Sequence, residues 1–276
     1  MKAIDLIFNV ASAHLPSIMA QKKHLCGCNG AHNHAQTLTR NLGHWLITCA
    51  FCHQATGEQK YLDAVKACAE YLKSADARPA AKTFRHRKQS GKDQCNGLIG
   101  QAWSMEALVC AGNALGESRY RKIAEEVFAI HDFSDSFGIW FRREVDGGRL
   151  PPDPTFNHQL WFAYSASLLE SAEARRRVQL FLDNLKRNLT LYPNGLVWHP
   201  LPWDVVRGSQ ITERPCWERL SAQFRMVTRK VLRVTPGPAA PDTPAYLKCV
   251  GYHAFNTYAL GLLKKQVPQH HVWNGD

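Results

Sequence analysis

Residues 98–115 read LIGQAWSMEALVCAGNAL and run directly into Gly116-Glu117-Ser118-Arg119-Tyr120. Glu106 is the single charge in that run. A helix that is apolar on every side has to be buried on every side. Gly116 suits the left-handed residue that closes a helix. Beyond it, Glu117 to Asp132 places Tyr120, Ile123, Ala124, Val127 and Phe128 on one stripe, with Arg119, Lys122, Glu125 and Glu126 elsewhere. That pattern predicts an amphipathic helix with one wet face. The two segments together form a helical hairpin, one helix inner and the other outer.

The hairpin recurs along the chain. Trp45, Trp103 and Trp161 follow one another at intervals of 58 residues, and Phe84, Phe141 and Trp198 at intervals of 57. A fixed period of this size marks a stacked supersecondary unit. In the first copy His44 to Gln54 is mostly apolar, and Glu58 to Lys73 alternates charges with Tyr61, Val65, Cys68 and Leu72. Its turn, Gly57-Glu58-Gln59-Lys60-Tyr61, matches the one at Gly116. The third copy reads as an inner helix Asn157 to Ser171 and an outer helix Glu173 to Leu189. Further on, Trp217 to Val234 predicts a basic helix and Thr235 to Pro244 a rigid loop. Tyr252 to Lys264 resembles the inner helix Asn157 to Leu169.

Sequential hairpins with apolar inner helices predict an all-α fold, an (α/α) toroid. It is read as one domain over residues 1–276 with a loop-rich segment at 190–248. A solenoid shares the pattern, but the very apolar inner helices and the long connections on one side favour closure. About five hairpins fit the length, so the ring is incomplete, truncated, or closed by a partner or oligomer. The connections, 74–95, 133–156 and 190–215, each reach an inner-helix N-terminus, where N–H groups are unpaired and the dipole is positive. Long connections on a rigid scaffold are where function concentrates.

Net charge is +11 and pI about 9.3, which points to an acidic partner. No apolar run reaches the length of a membrane span, so no membrane partner is expected. At the N-terminus, Asp5 and Asn9 interrupt the apolar stretch of MKAIDLIFNVASA, predicting an amphipathic helix rather than a signal peptide. Nine cysteines, several within helical patterns, suit a reducing, cytoplasmic compartment better than a disulfide framework. Cys49-Ala50-Phe51-Cys52-His53 has haem-attachment spacing but lies within an apolar helix. Cys26, Cys28, His32 and His34 could ligate zinc, although C-x-C is shorter than the usual spacing. No metal and no cofactor are expected. No phosphate loop, nucleophile elbow or nucleic-acid module motif occurs, and nucleic acid is not the expected partner.

The connections share a chemistry. Arg85 and Arg87 follow Phe84, Arg142 and Arg143 follow Trp140 and Phe141, and His199 follows Trp198. Aromatic faces stack on sugar rings or bases, and Arg forks hold carboxylate or phosphate bidentately. The plainer alternative is that the rings plug the barrel ends and the cations are solvated. Asp93 and Asp153 stand before inner helices, where they could divide acid and base roles or simply cap. Gln101 with Trp103, and Gln159 with Trp161, repeat a Gln two residues before the periodic Trp, placed to line the mouth or to bond a loop. Asn157, His158 and His253 open apolar helices at a similar level, and either histidine could move a proton or be structural. Glu106 lies deeper and reads as paired and structural.

Cys95-Asn96-Gly97-Leu98-Ile99-Gly100-Gln101-Ala102-Trp103, followed by the Gly116-Glu117 turn, resembles the six-hairpin (α/α) toroid glycosidases. The similarity is strongest to unsaturated glucuronyl hydrolase-like and uncharacterised polysaccharide-cluster proteins. It covers residues 36–190, with an echo at Tyr252 to Leu263. The resemblance implies a cleft at the inner-helix N-termini, carbohydrate substrates and catalysis by Asp. In the glucuronyl hydrolases an Asp protonates the sugar double bond and activates water; carried over, Asp93 and Asp153 are the nearest candidates. Three readings follow. The first is a glycoside hydrolase acting on an acidic, uronate-containing oligosaccharide or polysaccharide. The second is a sugar epimerase or isomerase using His158 or His253. The third is a non-catalytic glycan-binding or scaffold protein of a polysaccharide assembly system.

Overall fold

The structure, a computed structural model, describes residues 2–22, 28–29, 34–212, 238 and 240–274. Its backbone divides into two compact units. Unit one comprises Met1–His131, Arg143–Arg149 and Leu168–Ser171; unit two comprises Asp132–Arg142, Leu150–Ser167 and Ala172–Asp276.

Unit one holds helix α1 (Ala3–Met19), the strands β1 (Cys28–Asn29) and β2 (His34–Ala35), and two hairpins: α2 (Leu38–Thr56) with α3 (Gln59–Lys73), and α4 (Gly97–Leu115) with α5 (Ser118–Ala129). Both hairpins turn on a left-handed glycine. Gly57 has φ 73° and Gly116 φ 66°, and each donates its N–H to the last helical turn. A side chain there would carry the steric cost of a left-handed backbone. Helix α4 is buried almost throughout, as its composition demands, and it packs against α2, α3 and α5. The stripe Tyr120, Ile123, Ala124, Val127 and Phe128 faces inward on α5. Each large apolar side chain so buried contributes roughly 1.5–3 kcal/mol.

Unit two begins with β3 (Phe133–Ser134), which pairs antiparallel with β4 (Ile139–Arg143) in the register Phe133 to Trp140; β5 (Arg149–Pro152) is the third strand in the order β3-β4-β5. There follow α6 (Phe156–Ser167), α7 (Ala172–Asp183), α8 (Leu185–Asn188), α9 (Trp203–Thr212), α10 (Pro244–Gln266) and a 3-10 turn, His271–Asn274. Helix α10 packs on α6, and α6 on α7. The tight turn before β4 requires glycine at 138, where φ is 62° and a Cβ would stand 2.6 Å from the Leu180 carbonyl oxygen.

Several expectations change. The chain is not purely helical, because the 133–156 connection forms a sheet and 190–215 contains α9. The first inner helix begins at Leu38 rather than His44, the third ends at Ser167, and α10 starts at Pro244, with Thr243 capping Tyr246 N–H. Asn184 divides the third outer helix, its side chain donating to the Leu180 carbonyl. The basic helix expected at Trp217 to Val234 lies outside the described residues, as does most of the loop after it. So do Cys26 and His32 and the side chains of Cys28 and His34, and with them the zinc question. Among the described residues, no helix is long and apolar enough to cross a membrane.

Candidate functional site

In unit one, the connection into α4 is fastened by charge. Arg87 donates to the Asp93 carboxylate at 2.6 Å, to Asn96 Oδ1 at 3.0 Å and to the Asp93 carbonyl. The same Asp93 oxygen accepts the Gly97 N–H at 3.0 Å, so Asp93 acts as a helix cap with Arg87 as its counter-ion. Asp93 thus takes the capping alternative, and the Arg87 fork is turned inward to it rather than presented to a uronate. Glu144 accepts the N–H groups of Gln94, Cys95 and Val145. Arg85 is half-buried, and its carbonyl accepts from Thr37 Oγ1. Arg143 donates to the Gly147 carbonyl. Trp103 is 8% exposed, with the Arg40 guanidinium 4.6 Å from its ring centre.

Gln101 and Gln159 perform one task in two copies. Gln101 Oε1 accepts the Phe84 N–H, while its Nε2 donates to the carbonyls of Phe84 and Cys95. Gln159 does the same with Trp140 N–H, Trp140 carbonyl and Asp153 carbonyl. Both are fully buried and clamp their connection rather than line a mouth. Trp140 and Phe141 are buried too. Trp140 packs within 6 Å of the Phe133, Phe162 and Phe181 ring centres, so neither presents a face to a sugar. In unit two Arg142 is half-buried, its Nε donating to the Pro151 carbonyl.

Around α6 and α10 the chemistry differs. Asp153 is buried; one carboxylate oxygen accepts the Thr155 N–H at 3.1 Å and the other lies 2.9 Å from His158 Nδ1. The His158 side chain remains 25% exposed against 3% for Asp153. The carboxylate can only accept, so Nδ1 carries a proton, and in the neutral ring the lone pair is on Nε2. The segment before α6 is held by Phe156 N–H to the His199 carbonyl and by Leu201 N–H to the Pro154 carbonyl. That brings His199 in, its ring centre 4.6 Å from Tyr252 of α10. Trp161 stacks on Phe255 at 4.5 Å, and Trp198 packs against Tyr192.

Five residues of this neighbourhood hold buried polar atoms without a hydrogen-bond partner among the described residues: Asn157 Oδ1, Trp161 Nε1, His199 Nδ1, His253 Nδ1, and both side-chain polar atoms of Asn256. Each such atom costs about 1–3 kcal/mol where nothing pairs with it. These atoms lie on α6, α10 and the His199 loop. Asn256, Tyr252 and Phe255 were not singled out from sequence. The signal was there, since the match of Tyr252–Lys264 to Asn157–Leu169 puts Asn256 where Trp161 stands.

Burial holds the His199 imidazole down to about 3, helped by the charges of Lys248 and His158 and opposed by Asp153. Burial likewise holds His86, bonded to Ser104, down to about 3, with the charges of His44, Arg40 and Arg87 adding to it. Both are neutral when folded, whereas unfolded they titrate near 6.5. Below that value the unfolded chain binds more protons, so stability falls with pH. Chemical denaturation should show a loss on the order of several kcal/mol between pH 6.5 and 3, reduced in His86→Phe.

The fold class is the (α/α) toroid. Cellobiose 2-epimerase from Bacillus thermoamylovorans superposes with TM-score 0.56 at 12% identity, over 92% of this chain and 71% of that one. An unsaturated glucuronyl hydrolase specific for heparin gives 0.51 at 12%, over 95% and 82%. At such identities the likeness shows the fold alone. No protein-family model matches the chain. The archaeal glycosylation protein Q of Haloferax volcanii is 38% identical over 275 residues, 99% of this chain and 73% of that protein. The chain belongs to the family of that glycosylation protein.

Proposed function

We propose that the protein acts on a sugar unit in glycan assembly as an epimerase or isomerase, with His158 as the proton-transferring group. The observation that carries this reading is the Asp153–His158 pair: a buried carboxylate on Nδ1 and a partly exposed ring beside a set of unpaired buried polar atoms. His158 Nε2 takes a proton from the carbon next to the sugar carbonyl. The C–H electron pair moves into an enediolate, and a proton is then returned to carbon. Neutral His199 is placed to donate a hydrogen bond, and the exposed Lys248 suits an acidic sugar. The relative's name as a glycosylation protein agrees with a role in glycan assembly. Hydrolysis by two carboxylates has less support, since Asp93 is engaged by Arg87 and Gly97, and Asp153 by His158 and Thr155.

The test is proton exchange. Incubated in D2O with D-glucose, D-mannose or D-glucuronic acid, the protein should place deuterium on the carbon beside the carbonyl, read by NMR. No carbon-bound deuterium on any of the three would overturn the reading. Release of reducing ends from a glucuronate-containing oligosaccharide would establish hydrolysis in its place.

A further inference from the structure

Helix α1 carries two apolar stripes where a packed surface helix needs one. Phe8, Ala11, Leu15 and Ile18 recur at helical spacing toward α2 and α3, with Ala11 and Ile18 fully buried. A second stripe, Ala3, Leu6, Ile7, Val10 and Ala13, faces out, with Leu6, Ile7 and Val10 40–48% exposed. A contiguous apolar patch of this kind marks an interaction site.

We propose that this outer face of α1 lies on an anionic lipid surface, with the helix in the plane of the interface. Charge favours that occupant. Lys2 and Lys22 stand exposed at the two ends of the helix, the chain carries +11, and the sole acid of α1, Asp5, is turned back onto the Lys2 N–H at 3.0 Å. Area disfavours a second copy: Leu6, Ile7 and Val10, each less than half exposed, offer far less than the about 800 Å² per partner that a stable protein interface buries. A bilayer sets no such minimum. It takes an apolar helix face about 5–10 Å deep and holds basic flanks by its own charge. Lying on a membrane is distinct from spanning one, and needs no long apolar helix.

Sedimentation of the full chain with vesicles tests the proposal. With equal parts phosphatidylglycerol and phosphatidylcholine, the protein should partition to the vesicles at least tenfold more than with phosphatidylcholine alone. Ile7→Asp/Val10→Asp should lose that partition at least tenfold with an unchanged circular dichroism spectrum, and Leu6→Asp on the same face should weaken it independently. Wild-type partition retained in the double variant overturns the proposal. So does failure of the wild type to bind either vesicle. A concentration-dependent dimer that Ile7→Asp/Val10→Asp dissolves, without vesicle binding, assigns the face to a second copy instead.

Discussion

His158→Gln should lower deuterium exchange into the sugar about 10³-fold while leaving the thermal midpoint nearly unchanged. A positioned general acid or base contributes about 10²–10⁴-fold, and Gln has no titratable nitrogen to replace Nε2. The residue is partly exposed and bonds to a single side chain, so little packing is lost. Asp153→Asn should cost as much, for a reason visible in the geometry. The Thr155 N–H points at one Asp153 oxygen, which obliges an Asn to keep its carbonyl there and turn its NH2 toward His158. An N–H at Nδ1 forces the opposite tautomer, with the proton on Nε2 and no lone pair to receive another. Loss of the correct tautomer costs on the order of 10⁴-fold in a comparable carboxylate–histidine pair. Because the two residues act as one unit, the double variant should be little worse than either single one. Exchange that survives His158→Gln but not Asp153→Asn would make Asp153 itself the reacting group and remove His158 from the mechanism.

The hairpins were legible because their period is long and their composition contrast strong. An all-apolar segment before Gly116 and a striped one after it leave one way to bury both. The strands of residues 133–152 escaped notice because two to five residues of alternation carry too little signal. The candidate site was legible in part. Asp153 and His158 stand out five residues apart at the start of an apolar helix, and the structure joins them. The interval of 58 that links Trp103 to Trp161 sets Cys95, two residues after Asp93, opposite Asp153. Trp140 and Phe141 looked like sugar platforms because an aromatic next to arginine reads alike in a core and in a cleft. Only burial tells the two apart.

The same ambiguity governs the glutamines, and it yields the largest stability effect. Gln159→Leu keeps volume but removes the Gln159 bonds to the Trp140 N–H at 2.8 Å and the Asp153 carbonyl at 3.1 Å, and leaves the Trp140 carbonyl only the Asp153 N–H at 3.4 Å. Each orphaned group costs about 1–3 kcal/mol, so about 2–6 kcal/mol is expected for the two. That is a large share of the roughly 5–15 kcal/mol that keeps a domain folded. The thermal midpoint should fall by about 10 °C or more, and Gln101→Leu should match it, since its three contacts are the same in kind. Gln159→Glu should be worse still, because a carboxylate placed against two carbonyl oxygens adds buried, unpaired charge. Since the Asp153 carbonyl is one of the groups released, exchange activity should also decline in Gln159→Leu at temperatures where the protein remains folded. A Gln159→Leu protein that melts like wild type and loses only sugar binding would return this residue to the mouth of the site and undo the clamp.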